Sequence, residues 1–218
     1  MFDTHTHFNP SGLYDISENY FQEKLPAFFS VGIHPKAAKN AVFDIVRTLA
    51  EKENCLAIGE CGFDKFSPFT LKEQEEVFLW QVRLAKLLKK PLIIHCVRLF
   101  NEVLRVLKAE KFSQPVIFHG FNANAQTVSQ LLKFPKVYFS LSERQLSGNS
   151  SVVKSLTEIP LERILLESDT DENTDFKRLT ARIAALRGVD GEVIKFYAEE
   201  NFNEIFFRIK RNYFANVK

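Results

Sequence analysis

Five histidines occur in 218 residues, and their placement is more informative than their number. His5 and His7 form a His-Thr-His pair in FDTHTHF, and His34 follows SVGI. His95 ends PLIIH, and His119 ends PVIFH. Two carboxylates are placed in the same way, Glu60 after CLAIG and Asp169 after RILLES. All seven side chains thus follow short apolar runs that read as strands. Residues i and i+2 of a strand point to one side, so both imidazoles of a His-x-His pair reach the same ion. Neutral imidazole binds first-row divalent ions well, and carboxylate adds charge compensation. A carboxylate such as Glu60 can give one oxygen to each of two ions ~3.5–4 Å apart, and one such as Asp169 can also accept a proton from water. Singly, each residue has a plainer reading: a hydrogen-bonded strand-end histidine, or, for Asp169, a helix N-cap. The joint pattern points to a metal site.

Delivering these seven residues to one place requires a particular scaffold. Apolar runs at Phe2–His5, Phe28–Ile33, Cys55–Gly59, Pro91–His95, Pro115–His119, Lys136–Leu141 and Arg163–Leu166 predict seven strands. Helical spacing predicts helices over Ala37–Glu51, Leu71–Lys89, Phe100–Glu110, Ala125–Lys133, Val152–Thr157, Asp175–Leu186 and Glu192–Lys210. In the second of these the inner stripe is Val77, Phe78, Val82, Ala85 and Leu88. In the last, Val193, Phe196, Tyr197, Phe202, Ile205, Phe206 and Ile209 are expected to be buried, and the tail from Arg211 is expected to fray. Strand–helix alternation without a linker or repeat predicts a single α/β domain over 1–218. No Gly-rich phosphate turn follows the first strand, which argues against a doubly wound sheet. The expected fold is a TIM-type (β/α) barrel with a shortened or irregular second β/α unit, Leu13–Ser17 being the segment available for the eighth strand. The C-terminal strand ends of such a barrel share one face, where residues 5 to 169 would converge.

Composition narrows the function. Apolar residues make up 45 % and charged residues 26 %, as in an ordinary globular protein. A net charge of +2 gives no strong polyanion footprint. Cys55, Cys61 and Cys96 are odd in number and match no zinc spacing, which predicts reduced thiols and a cytoplasmic protein. Cys61 and Cys96 sit on the faces opposite Glu60 and His95, where packing is expected. No signal-like segment and no run of ~18 apolar residues is present, so no membrane association is expected. Trp80 reads as helix packing, and Lys36, Lys39 and Lys65 as solvated loop charges.

FDTHTHF, SVGIHP, AIGECGFD, PLIIHC, VIFHGF and PLERILLESD follow one another in a familiar order. The chain resembles the TatD family of metal-dependent deoxyribonucleases, within the amidohydrolase-like barrel superfamily. ENFNEIFF is similar to that family's closing helix, so the resemblance runs from residue 2 to about 207. It implies two divalent ions (Zn, Mn or Mg), held by His5 and His7, by Glu60 as bridge, by His95 and His119, and by Asp169, which also takes the proton. It implies substrate contacts at His34, Arg98 and Asn122, and a positioning role for Asp64 beside a ligand histidine. The implied substrate is DNA, single-stranded or at 3′ ends, with no obligate protein partner. The chain departs from the family at Asn9, where an aspartate is usual, at Asn122, where a serine is common, and at Thr170-Asp171-Glu172 after Asp169. It is also shorter than most members between His7 and Gly32. The chemistry alone suits a phosphotriester, amide or ester equally. An amidohydrolase or esterase acting on a small or aminoacyl substrate, and a weakly catalytic metal-binding protein, therefore stand as alternatives.

Overall fold

The computed structural model of the protein describes residues 2–17, 20, 24–40 and 42–208. Seven parallel strands pair in chain order: β1 (Tyr14–Asp15), β2 (Phe29–Val31), β3 (Cys55–Asp64), β4 (Leu92–Val97), β5 (Val116–Phe118), β6 (Val137–Leu141) and β7 (Ile164–Leu166). The helices are α1 (Phe43–Ala50), α2 (Leu71–Leu88), α3 (Phe100–Ala109), α4 (Ala125–Leu131), α5 (Ser151–Ser155), α6 (Phe176–Arg187) and α7 (Gly191–Asn203).

The opening segment forms no strand of its own, yet it closes the barrel. Thr4 N–H donates to Leu166 O and His7 N–H to Asp169 O on the β7 side. Thr6 N–H donates to Leu13 O, and Asp15 N–H returns a bond to Thr6 O, on the β1 side. Thr6 thus bridges both edges of the sheet. The segment expected as the eighth strand, Leu13–Ser17, contributes the two-residue β1 instead. No helix separates β1 from β2 among the described residues. The fold is a TIM-type barrel.

Burial follows strand alternation. Leu13, Ala57, Ile93, Ile117 and Leu165 point inward and pack on Phe202, Ile205 and Phe206 near the C-terminus. The outward set, including Ile58, Cys61, Phe63, Ile94 and Phe118, packs against the helices. Two steps beyond Ile93 and Ile117 lie His95 and His119, so the inner row ends in ligating chemistry. Glu60 has the wrong parity relative to Ala57, and a register shift corrects it. Ile58 pairs with Leu92 and Cys61 with Ile94, three residues of β3 against two of β4. This bulge turns Glu60 inward and Cys61 outward. Gly59 permits it, having φ of 150° and lying where a Cβ would sit 2.4 Å from Ile93 O.

Several expected bounds move. β3 runs on to Asp64, so Glu60 lies within the strand rather than at its end. The helix expected over Ala37–Glu51 divides into a 3-10 segment, Pro35–Asn40, and α1. Of the stripe expected at the closing helix, Phe202, Ile205 and Phe206 are buried, but Val193 is 36 % and Phe196 60 % exposed, and Ile194, Ala198 and Asn201 are buried in their place. The reason is polar. Asn201 Nδ2 donates to Leu161 O at 2.9 Å and Ile164 O at 2.8 Å, and holding that amide inward turns Phe196 out. Ile209, Lys210 and the tail expected to fray lie outside the described residues. Trp80 packs on Phe43, ring centroids 4.6 Å apart.

Candidate metal centre

Glu60 is the hub. Its Oε1 lies 2.5 Å from His119 Nε2, 3.2 Å from His5 Nε2 and 3.9 Å from His95 Nδ1. Asp169 stands across the mouth, its Oδ1 4.0 Å from His5 Nε2 and 3.9 Å from His7 Nε2. It holds the left-handed conformation, φ 55°, rare for a non-glycine residue. Asp169 does not cap the following helix; Asp175 does. Ligand-type atoms of His5, His7, Asp15 and Glu60 lie within 4.8 Å of one another, as do those of His5, His119 and Asp169, and those of His34, Glu60 and His95.

Second contacts fix how the imidazoles face. His95 Nε2 lies 3.2 Å from Asp64 Oδ2, which leaves Nδ1 turned to Glu60 and to His119 Nε2, 3.2 Å away. Asp64 thus stands where it orients a histidine. Lys36 N–H donates to His34 Nδ1, so the neutral ring carries its proton on Nε2, 3.6 Å from Glu60 Oε2. That tautomer suits a donor better than a ligand. Beneath His119, the buried Glu167 accepts from Gly120 N–H at 2.6 Å and lies 4.0 Å from His119 Nδ1.

The site crowds imidazole nitrogens and carboxylate oxygens together with few other partners. Nδ1 of His5, Nδ1 of His119 and Oδ2 of Asp15 are buried without a hydrogen bond. Burial would hold the His5 ring neutral, but Glu60 beside it pushes its pKa up to about 10. Burial and Glu60 both raise Asp15. Burial opposes the charge on Glu60, yet His119, His5 and His95 hold it well below the usual carboxylate range. Burial lowers His34 to about 4. Buried imidazole nitrogens and carboxylate oxygens that converge with unpartnered atoms among them are what a divalent cation completes, so the donor set fits one.

A cavity of about 530 Å³ opens over this hub, lined by His95, His119 and Asp169 together with Lys36, Arg98, Asn122 and Arg144. Of the expected substrate contacts, Arg98 and Asn122 reach this cavity; Asn122 Oδ1 also accepts from Val152 N–H at 3.0 Å. A second cavity beside it, lined by Asp3, Asn9, Asp171 and Glu172, is acidic.

The profile of TatD-related DNases matches residues 14–207. The chain belongs to the TatD-related DNase family. It is 27 % identical over 195 residues to the metal-dependent hydrolase YcfH of Escherichia coli K12, covering 82 % of this chain and 73 % of that one. It is 28 % identical over 204 residues to the 3′-5′ ssDNA/RNA exonuclease TatD of Klebsiella pneumoniae, covering 81 % and 76 %. The TatD homologue YjjV of E. coli K12 superposes with a TM-score of 0.79 at 18 % identity, covering 94 % of this chain and 97 % of that one, which shows a shared fold.

Three features of this TatD-related chain escaped the sequence reading. Asp15 joins the His5–His7–Glu60 group; its signal was a carboxylate inside the apolar Leu13–Ser17 run. Glu167 has no separate signal, being two residues before Asp169 on the same face. α2 carries two buried glutamines seven residues apart in its apolar stripe. Gln81 Oε1 accepts from Ile33 N–H at 2.7 Å and its Nε2 donates to Ile33 O at 3.0 Å, just before His34. Gln74 Oε1 accepts from Asp64 N–H at 2.9 Å. No helix among the described residues is long and apolar enough to cross a membrane.

Proposed function

We propose that this barrel is a metal-dependent phosphodiesterase that removes nucleotides from the 3′ ends of single-stranded DNA. The observation that carries the reading is the convergence of His5, His7, His95, His119 and Asp169 on Glu60, in a chain of the TatD-related DNase family. The names of its relatives agree, YcfH as a metal-dependent hydrolase and the Klebsiella protein as an exonuclease.

His5, His7, Glu60, His95, His119 and Asp169 would hold the divalent metal. Bound divalent ions supply Lewis acidity, lower the pKa of water and neutralise phosphate charge. The chain's own groups do the rest. Asp169, least buried of the carboxylates around the hub, accepts the proton of the attacking water. His34 donates from Nε2 to a phosphate oxygen. Arg98 and Asn122 orient the phosphate from the cavity wall. Asp64 keeps His95 aimed at the hub. The whole described barrel acts as one unit, since the ligands come from both ends of the chain.

The test uses a 5′-labelled single-stranded DNA oligonucleotide, protein stripped with EDTA, and Mg²⁺, Mn²⁺ or Zn²⁺ added back. A ladder receding from the 3′ end, restored by metal and absent in Asp169→Asn, is expected. No cleavage with any ion, in protein that still binds metal, would reject the substrate and turn the search to esters and amides. The acidic cavity beside the hub favours that second reading, since Asp171 and Glu172 repel a polyanion.

A further inference from the structure

Most large aromatic side chains here serve the core, but Phe66 is 65 % exposed at the lip of the cavity that holds His95, His119 and Asp169. The guanidinium of Arg98 lies over its ring, 5.4 Å from the centroid. Arg98 itself adopts φ 62°, a costly backbone conformation for a non-glycine residue. Phe66 is also tied to the metal centre through one carboxylate. Phe66 N–H donates to Asp64 Oδ1 at 2.7 Å, while Asp64 Oδ2 lies 3.2 Å from His95 Nε2 and 3.3 Å from Lys36 Nζ. Its neighbours are pinned too: Lys65 N–H donates to Val97 O at 3.2 Å, and Ser67 Oγ to Pro35 O at 2.9 Å. The backbone that carries the ring is therefore held at a fixed offset from the hub.

We propose that Phe66, backed by Arg98, is a stacking platform for one nucleobase of the substrate, placed beside the phosphate being cleaved. The inference rests on the nuclease reading above and adds the part of the substrate that is recognised. A ring face accepts any base, so the platform gives affinity without sequence preference. Arg98 adds cation–π attraction, and Lys36 and Arg144 on the same cavity wall bring positive charge to the adjoining phosphates. A base paired within a duplex cannot reach the ring, so the platform favours unpaired ends.

The test compares an all-thymidine oligonucleotide with versions carrying one abasic residue at each of the last three positions of the 3′ end. Binding is measured by fluorescence anisotropy in EDTA, so that no turnover intervenes, for wild type, Phe66→Ala and Phe66→Trp. At one position the wild type is expected to bind the intact strand about tenfold more tightly than the abasic one, equivalent to about 1.4 kcal/mol. Phe66→Ala is expected to bind both alike at the weaker level, and Phe66→Trp to keep the discrimination. Undiminished discrimination in Phe66→Ala, or none in wild type at any position, would overturn the platform. Cleavage is read separately with metal restored. Discrimination in binding without cleavage would sink the nuclease reading and leave the platform standing; cleavage without discrimination would do the reverse.

Discussion

Replacing Gln81 with leucine removes a clamp that no backbone pairing replaces. Gln81 is fully buried and Ile33 is 1 % exposed, so neither the N–H nor the C=O of Ile33 can turn to water when the amide is lost. Each stranded backbone group costs about 1–3 kcal/mol, and the added apolar burial of leucine returns about 1–2 kcal/mol. The net loss is expected to be about 2–4 kcal/mol. For a chain of this size that lowers Tm by roughly 5–15 °C. Calorimetric unfolding of the metal-free protein reads the stability. Gln81→Glu keeps an acceptor for Ile33 N–H and should fall between wild type and Gln81→Leu at a pH low enough to protonate the new carboxyl. A Gln81→Leu protein within about 1 kcal/mol of wild type would refute the clamp.

Metal uptake should release protons. In the metal-free protein His5 is held protonated up to about pH 10 by Glu60, and a ligand nitrogen must be bare. Affinity is therefore expected to rise with pH between about 6.5 and 10, seen by titration calorimetry in buffers of different ionisation enthalpy; pH-independent loading would contradict it. The same raised pKa stabilises the metal-free fold fully below pH 6.5, and the contribution fades as pH climbs through 10, so its Tm should fall across that window. Asp15→Asn should weaken metal binding about 10–100-fold while leaving the fold intact, measured by competition with a chelating dye. Burial pushes the Cys61 thiol well above its usual range and Cys96 up to about 12, so neither should react with iodoacetamide at pH 8 until urea unfolds the chain, as peptide mass mapping would show.

The barrel and the meeting of the candidate site residues were legible because apolar strands of alternating faces carry His95 and His119 at their ends, and because His-Thr-His places two rings on one side. What could not be read was positional bookkeeping that depends on partners. The inward turn of Glu60 needs a bulge against β4, visible only in the pairing of Ile58 and Cys61. The exposure of Phe196 follows from where Asn201 finds carbonyls. Gln74 and Gln81 interrupt an apolar stripe, and nothing local says that each closes on a backbone 10 or 48 residues away.

The closing segment has a consequence for biogenesis. Asp3 accepts from the N–H and hydroxyl of Ser168, a link spanning 165 positions of chain. His5 and His7 cannot take their places until β7 has formed and the sheet has curled round to meet them. Long-range pairing of this kind is slow and comes late in folding. The candidate metal centre is therefore assembled only when the two edges of the barrel meet.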